Sequence, residues 1–291
     1  MGNTLQLLRD NALQRAQGVL TSTLVPRLDI LKVEEPTKLF PEVYQPLVSL
    51  ILQGEKRLLL GDQILSYCEG QAFIASIDLP AMGEVVRASE AIPYLALRLR
   101  FDPAVVTDLV HQVADPLPRP STRSFDVGLT SDRLLDAWLR LLCLDNHPDE
   151  IAVLAPLLER EILFHLLRSP QGGLLQQVAG FDGRFAQIRK AVTWLRENYT
   201  GSLRVENLAQ LAGMGASAFH RSFKASTGLS PLRYQKHLRL YEARRMLLAE
   251  RSDVAFVAFE VGYESASQFT REYTRMFGVS PARDSRQLRA K

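Results

Sequence analysis

The spacing of apolar positions divides the chain into a strand-rich first part and a helical second part. Between Tyr44 and Phe101, short apolar runs alternate with turn residues, a pattern typical of a small β-barrel or sandwich. Gly61-Asp62 separates two of these runs, and a two-residue connection with glycine predicts a β-hairpin. We predict strands over 47–52, 56–60, 63–67, 72–77, 84–88 and 94–101.

Helical periodicity flanks this region on both sides. We predict a leading helix over 5–20 and a second helix that begins at Pro103, where a first-turn proline is tolerated. Ser131 predicts the N-cap of a helix with apolar residues from Leu134 to Leu142, and Pro148 predicts the start of another through Arg168. A loop with three prolines covers 115–123, and the glycine-containing segment 171–183 is interpreted as a linker.

Charge is distributed unevenly along the 291 residues. Residues 183–291 hold 19 basic and 9 acidic residues, whereas residues 1–182 hold 16 basic and 23 acidic ones. A basic half predicts contact with a polyanion. No apolar run is long enough to span a bilayer, so we expect a cytoplasmic protein. The two cysteines, Cys68 and Cys143, form no CxxC pair, and we expect both to be buried thiols.

The basic half contains an internal repeat, which is the strongest signal in the sequence. At an offset of 49, the residues Val205, Leu208, Ala209, Ala212 and Gly213 match Val254, Val257, Ala258, Val261 and Gly262. At an offset of 50, the residues Phe219, Arg221, Phe223, Gly228, Ser230 and Pro231 match Phe269, Arg271, Tyr273, Gly278, Ser280 and Pro281. The offset changes within a predicted turn, where one extra residue is tolerated.

Each copy has the parts of a helix-turn-helix unit. A small residue, Ala209 or Ala258, lets the two helices pack closely, and Gly213 or Gly262 can adopt the positive φ that ends the first helix. Aromatic residues at positions i and i+4 predict the buried face of the second helix, which leaves its other face free for a DNA groove. A connector helix over 231–249 would hold the two units about 34 Å apart, which is one turn of B-DNA.

Residues 184–289 resemble the DNA-binding domain of the AraC/XylS family of transcriptional regulators. The stretches that carry the resemblance are LAQLAGMGASAFHRSFKASTG, SPLRYQKHLRLYEARRMLL and VAFEVGYESASQFTREYTRMFGVSP. Two positions depart from the family pattern: Gly215 stands where a serine cap is usual, and Ala266 offers no hydrogen bond to a base.

The resemblance implies which residues contact DNA. Base contacts are implied for Ser217, His220 and Arg221 of the first unit and for Ala266, Ser267, Gln268, Thr270 and Arg271 of the second. His220 fits a solvated helix position nearly as well as a base contact. Arg221 and Arg271 could each bind a phosphate instead of a base, which would change affinity more than specificity. Lys224 and Arg275 are expected to contact phosphates. Arg239, Arg244 and Arg245 either contact phosphates or only cover the connector helix.

The first half is similar to the N-terminal domain of AraC-type regulators, a cupin-like module, through QPLVSLILQGEKRLLLG, ASIDLP and PYLALRLRFD. The expected fold is therefore α+β, with a cupin-like β-barrel plus helices followed by an all-α domain with two helix-turn-helix units. The predicted organisation is a sensing or dimerisation domain over 1–170, a linker over 171–183, and a DNA-binding domain over 184–291. The two units of that domain cover 205–226 and 254–277.

The expected function is a sequence-specific transcription factor, an activator, that responds to a small effector bound by the N-terminal domain. The expected partners are promoter DNA, this effector, RNA polymerase and a second copy of the chain, without a membrane. We expect no cofactor, no catalytic residue and no metal, because the chain lacks clustered metal-binding histidines. The alternatives are a constitutive regulator whose first domain only mediates oligomerisation, and a cupin enzyme with a DNA-targeting tail.

Overall fold

The fold is described from a computed structural model. It describes residues 2–113, 118, 121–180, 183–249 and 253–289 of the chain. Within these ranges the order of elements confirms the α+β class, because the strands all precede residue 130 and the helices dominate the second half.

In the described part of the chain, ten strands form two antiparallel sheets that face each other without joining into a closed barrel. The first sheet has six strands in the order β1-β2-β9-β4-β7-β10, and the second has four in the order β3-β8-β5-β6. The bounds are β1 Leu20–Ser22, β2 Leu28–Val33, β3 Phe40–Tyr44, β4 Leu47–Gln53, β5 Glu55–Leu60, β6 Gln63–Cys68, β7 Gln71–Ala75, β8 Leu79–Arg87, β9 Tyr94–Arg100 and β10 Phe125–Leu129.

The predicted hairpin and the central strands are confirmed. Leu60 pairs with Gln63 across the Gly61-Asp62 connection, as a two-residue turn requires. All seven residues of β4 are buried, because helices cover one face of the six-stranded sheet and the other sheet covers the opposite face. Strands β1, β2, β3 and β10 were not predicted, because they lack a long alternating pattern. Strands β2, β3 and β10 also pair with distant segments of the chain.

Among the described residues of the first half, five helices cover the outer face of the six-stranded sheet and form one apolar core with it. They are α1 Gly2–Arg15, α2 Pro103–Gln112, α3 Asp132–Cys143, α4 Pro148–Leu167 and α5 Gly172–Val178, with a short 3-10 turn at Leu144–Asn146. The predicted starts of three of them are confirmed. Pro103 opens α2, Ser131 caps α3 by accepting a bond from the Leu134 amide at 3.3 Å, and Pro148 opens α4.

Two segments differ from the predictions. The leading helix ends at Arg15, and Leu20 already belongs to β1, because Gly18 adopts a φ of 149° that a helix does not allow. Helix α5 occupies most of the segment interpreted as a linker, and its Leu174, Leu175 and Val178 are buried in the core. The loop over 115–123 lies mostly outside the described residues. Both cysteines are free and half-buried instead of fully buried.

The second half consists of seven helices in the described ranges. They are α6 Gly183–Glu197, α7 Val205–Leu211, α8 Ala216–Thr227, α9 Pro231–Ala249, α10 Val254–Glu260, α11 Ala266–Phe277 and α12 Pro281–Arg289. The connector helix thus has the predicted bounds. Helices α10 and α11, with one face of α9, form a separate apolar core.

The first helix-turn-helix unit shares its apolar core with the β-sheets. Phe219 and Phe223 of α8 and Tyr234 of α9 lie in the same buried cluster as Leu58, Leu60 and other residues of the sheets. Polar contacts reinforce this interface. The Tyr234 hydroxyl donates to the carbonyl of Asp78 at 2.6 Å, and Arg196 lies 3.0 Å from the Asp78 carboxylate.

Backbone atoms of the two halves also meet directly. The amide of Ser124 donates to the carbonyl of Ser226 at 3.2 Å, and Gly61 of the hairpin turn packs against Gly228 at the end of α8. A Cβ atom added to Gly61 would lie 2.1 Å from the Gly228 oxygen, so only glycine fits there. The hairpin therefore touches the end of the first candidate recognition helix.

We predict that Gly61→Ala lowers the free energy of unfolding by about 2 to 4 kcal/mol, because alanine tolerates φ of +62° poorly and its methyl group would displace the Gly228 backbone. Urea unfolding measures the change. Gly183→Ala is the control, since its added Cβ meets nothing within 4 Å. Equal stability of the two variants would contradict the close packing of hairpin and helix.

Candidate nucleic-acid interface

The first helix-turn-helix unit is built from α7 and α8. Gly213 between them has a φ of +65°, and the amide of Met214 donates back to the Ala209 carbonyl at 2.9 Å, which closes the turn. Phe219 and Phe223 are fully buried and face inward together. The predicted anchors of α8 are thereby confirmed.

The second unit repeats this construction with α10 and α11. Gly262 has a φ of +89°, and the amide of Tyr263 donates to the Ala258 carbonyl at 2.9 Å. Phe269 and Tyr273 are buried and stack edge to face. The turn before α11 is one residue longer than the turn before α8, which accounts for the change of offset in the repeat.

The two recognition helices begin differently. Ser265 caps α11, because its side chain accepts a bond from the Gln268 amide at 3.4 Å. Gly215 precedes α8 and supplies no side-chain cap. The backbone amides in the first turn of α8 therefore receive no side-chain acceptor from Gly215, as predicted from the sequence.

The structure places the predicted DNA-contacting residues on the outward faces of α8 and α11. Those whose side chains are exposed are Ser217, His220, Arg221, Lys224, Ser267, Gln268, Arg271 and Arg275, and the half-buried ones are Ala266 and Thr270. Among the described residues, none of the four cations in this set forms an ion pair, unlike Arg233, Arg244 and Arg245 of α9. An unpaired exposed cation is available to a phosphate or a base.

Two arginines of the connector helix have internal partners. Arg244 forms two hydrogen bonds with the buried carboxylate of Asp284, at 2.8 and 3.3 Å, and Tyr273 donates to the same carboxylate at 2.8 Å. Arg239 donates to three backbone carbonyls of residues 199–201. Neither simply covers the helix. The sequence alone does not reveal this role of Arg239, because the carbonyls that it binds lie 38 to 40 residues earlier in the chain.

A cleft of about 580 Å³ lies between the β-sheets and helices α6 and α9. Four arginines and three acidic residues line it, together with apolar side chains such as Val43, Leu47 and Leu238. This volume is in the range of small-molecule sites, which are about 300 to 1,000 Å³. The charged lining residues are Asp29, Glu42, Arg98, Arg100, Arg196, Glu242 and Arg245.

Beneath the cleft, a buried cluster holds two cations and one carboxylate. Glu42 accepts a hydrogen bond from Arg98 at 2.9 Å, a second guanidinium nitrogen of Arg98 lies 2.5 Å from its other oxygen, and the fully buried Lys56 lies 3.6 Å from the same carboxylate. Burial by itself raises the pKa of Glu42, but Lys56 and Arg98 lower it to about 2. Burial lowers the pKa of Lys56 to about 8, although Glu42 opposes the change. No sequence pattern reveals this cluster, because its members come from three different strands, β3, β5 and β9.

Three tyrosines surround the cluster with unused hydrogen-bonding capacity. The hydroxyl groups of Tyr44, Tyr67 and Tyr94 are buried and form no hydrogen bond with a described residue. The desolvation of these phenols raises the pKa of each above its ordinary value. All three hydroxyls therefore stay protonated at neutral pH and can donate.

Within the described ranges, no three or more histidine, cysteine, aspartate or glutamate side chains come together as a metal site. None of the helices in these ranges has the length and apolar character of a membrane span.

Two family models match the chain. The model described as "AraC-type transcriptional regulator N-terminus" matches residues 24–174, and the one described as "Helix-turn-helix domain" matches residues 208–287. Together they cover strands β2–β10, helices α2–α4, the first three residues of α5, and both helix-turn-helix units apart from the first three residues of α7.

Curated relatives are transcriptional activators. The chain is 32% identical to "HTH-type transcriptional activator RhaS" of Escherichia fergusonii over 138 residues, which is 47% of this chain and 48% of RhaS. The chain thus spans about half the length of such relatives. It is 26% identical to "Virulence regulon transcriptional activator VirF" of Yersinia enterocolitica over 262 residues, 88% of this chain and 95% of VirF.

The overall fold is similar to that of ToxT from Vibrio cholerae. An apo variant of ToxT matches with a TM-score of 0.56 and 10% sequence identity, covering 90% of this chain and 97% of that chain. Wild-type ToxT described as bound to an unsaturated fatty acid matches with a TM-score of 0.53 and 9% identity, covering 91% and 95%. At such identities the likeness concerns the fold alone.

Proposed function

The chain belongs to the AraC/XylS family of transcriptional regulators, and we propose that it binds a specific promoter sequence through α8 and α11 and activates transcription there. The observation that carries this proposal is the duplicated recognition helix, whose outward face is exposed and basic in both copies. Such a face fits the major groove of B-DNA, which admits one helix.

Arg221 and Arg271 are the proposed base-reading residues. They occupy the same position in the two copies, two residues after a buried phenylalanine, and both are exposed. An arginine in this place can bind the O6 and N7 atoms of a guanine together. Lys224 and Arg275, each one turn further along the helix, are proposed to bind phosphates.

Selection of bound duplexes from a random-sequence library by the full-length protein would provide the target sequence. We predict that Arg221→Ala and Arg271→Ala each weaken binding to it by about 1 to 3 kcal/mol and relax the preference at one base pair. Fluorescence anisotropy against single-base variants of the target measures both effects.

Lys224→Ala is the matched control for a phosphate contact. It should weaken binding to all duplexes alike and reduce the slope of log affinity against log salt by about one. If the wild-type protein selects no sequence and its binding is insensitive to salt, the proposed function is wrong. Activation also requires contact with RNA polymerase, which in vitro transcription with purified polymerase would test.

The proposed effector site is the cleft between the β-sheets and helices α6 and α9. Cations outnumber acids along its lining and in the cluster beneath it, and the three tyrosine hydroxyls there are donors. An acceptor-only anion with an apolar body therefore complements the cleft, and the simplest is a small carboxylic acid. Since α6 and α9 form one wall, such a ligand would favour one arrangement of the DNA-binding helices over another.

We predict that octanoate raises the melting temperature of the full-length protein, whereas octanol and octylamine do not, because only the carboxylate balances the excess positive charge. Glu42→Gln should enlarge the octanoate-induced shift, since it removes the carboxylate that already pairs with Arg98 and Lys56. Differential scanning fluorimetry measures these shifts, with Asp136→Asn as a control far from the cleft. Equal shifts with the three probes, or a shift that Glu42→Gln leaves unchanged, would count against this site.

An exposed apolar face on α4 favours a second role for the first domain, the assembly of a homodimer. Val153 is 67% exposed and Leu157 is 60% exposed on the side of α4 that faces away from the core. The helix begins with Asp149 and Glu150 and ends next to Arg168. Two copies of α4 paired antiparallel would bury the apolar face. They would also place the acidic N-terminus of each helix opposite the basic C-terminus of the other.

Leu157→Glu is expected to convert such a dimer to a monomer, because it places a charge in the centre of the paired face. Sedimentation velocity of both proteins at the same concentration gives the oligomeric state. Ile64→Glu, an equally exposed apolar residue on a different surface, should leave the state unchanged. A monomeric wild-type protein would refute the dimer and leave the DNA-binding proposal intact.

A further inference from the structure

We infer that Arg239 is a positioning residue that sets the distance and angle between the two recognition helices, through its bonds to the turn after α6. This inference rests on the proposed function, since it concerns how two recognition helices reach one duplex. It assigns a role to a residue that contacts no DNA in the proposal above.

Arg239 binds three successive carbonyl groups with two of its nitrogen atoms. Its Nε donates to the oxygen of Tyr199 at 2.7 Å, and one terminal nitrogen donates to the oxygens of Thr200 and Gly201 at 3.0 and 2.7 Å. A planar guanidinium presents its donors in a fixed fork, so these bonds determine the direction of the turn as well as its distance from α9.

Gln235, one helical turn before Arg239, binds the same carbonyls. Its side-chain nitrogen donates to the oxygens of Tyr199 and Gly201 at 2.9 and 2.7 Å, and the residue is only 6% exposed. The two side chains together make five hydrogen bonds to three consecutive residues. The turn is thereby held to the connector helix along one face.

This turn is rigidly connected to the first recognition helix. It follows α6 directly, and α6 packs against both α7 and α8 through Phe185, Ile188 and other buried residues of the shared core. A displacement of the turn would therefore require α6, and with it α8, to move.

The same turn touches the second unit. A Cβ atom added to Gly262 would lie 2.1 Å from the Thr200 oxygen, so the backbones of the two turns are in direct contact. The Arg239 guanidinium also lies 5.8 Å from the ring of Tyr263, the next residue. Residues 199–201 are thus the point where α6, the connector helix and the turn of the second unit meet.

A chain of polar contacts continues from this point to the second recognition helix. The hydroxyl of Tyr263 donates to Glu272 of α11 at 2.9 Å, and Glu272 lies 3.0 Å from Lys236 of α9. The second unit is therefore held to α9 through a turn and through its recognition helix. Tyr199 also lines the cleft between the β-sheets and helices α6 and α9. A ligand bound in that cleft would therefore contact the turn that Arg239 holds.

The test compares duplexes that differ only in the spacing of two half-sites, taken from sequences that the wild-type protein selects. For the Arg239→Lys variant, affinity for the paired site should fall about tenfold. The loss of affinity caused by one inserted or deleted base pair should become smaller than in the wild-type protein. Both effects are expected because one ammonium cannot hold the three carbonyls in the same geometry. Affinity for a duplex with a single half-site should stay within about twofold, since neither recognition face changes.

Arg233→Lys is the matched control, because it makes the same change on the same helix at a residue that pairs with Asp62 instead of the turn. If Arg239→Lys does not fold, Gln235→Ala removes two bonds to the same carbonyls at constant charge and should change spacing discrimination in the same direction. Unchanged spacing discrimination, or an equal loss of affinity for single and paired sites, would overturn the inference. Failure of the wild-type protein to select paired half-sites would instead refute the proposed function.

Discussion

The apolar core that the first helix-turn-helix unit shares with the β-sheets is the constraint on which the rest of the structure depends. Phe219, Phe223 and Tyr234 lose all contact with water in a cluster that includes residues of both halves. Each buried aromatic side chain contributes about 1.5 to 3 kcal/mol of transfer free energy. The first recognition helix therefore cannot move away from the sheets without exposing a large apolar surface.

As a result, the two helix-turn-helix units pack against different parts of the protein. The second unit buries its aromatic residues in a core of its own with α9, and in the described residues this core is separate from that of the sheets. Its orientation depends on the connector helix and on the polar contacts around residues 199–201. A duplicated sequence thus yields one unit anchored to the first domain and one unit held to the connector helix by apolar packing and by hydrogen bonds.

The charged cluster of Glu42, Lys56 and Arg98 lowers the stability of the first domain. Buried ion pairs are costly to desolvate, and two cations with one carboxylate leave a positive charge uncompensated. Three buried hydroxyl groups without partners add to this cost. A domain under selection for stability alone would have apolar residues there, so the arrangement fits the proposal that a ligand completes the cluster.

The sequence by itself determined the features that depend on neighbouring residues. The repeat follows from comparing positions 49 and 50 residues apart in the sequence. The positive φ of Gly213 and Gly262, the buried pairs in α8 and α11, the hairpin at Gly61 and the bounds of the connector helix follow from spacing within about thirty residues, the span of one supersecondary unit. Only the tertiary structure decided the two open sheets, the burial of α5 in the presumed linker, the charged cluster and the role of Arg239. Each of these depends on contacts between segments far apart in the chain, and the strength of such contacts comes from burial and geometry that no local pattern encodes.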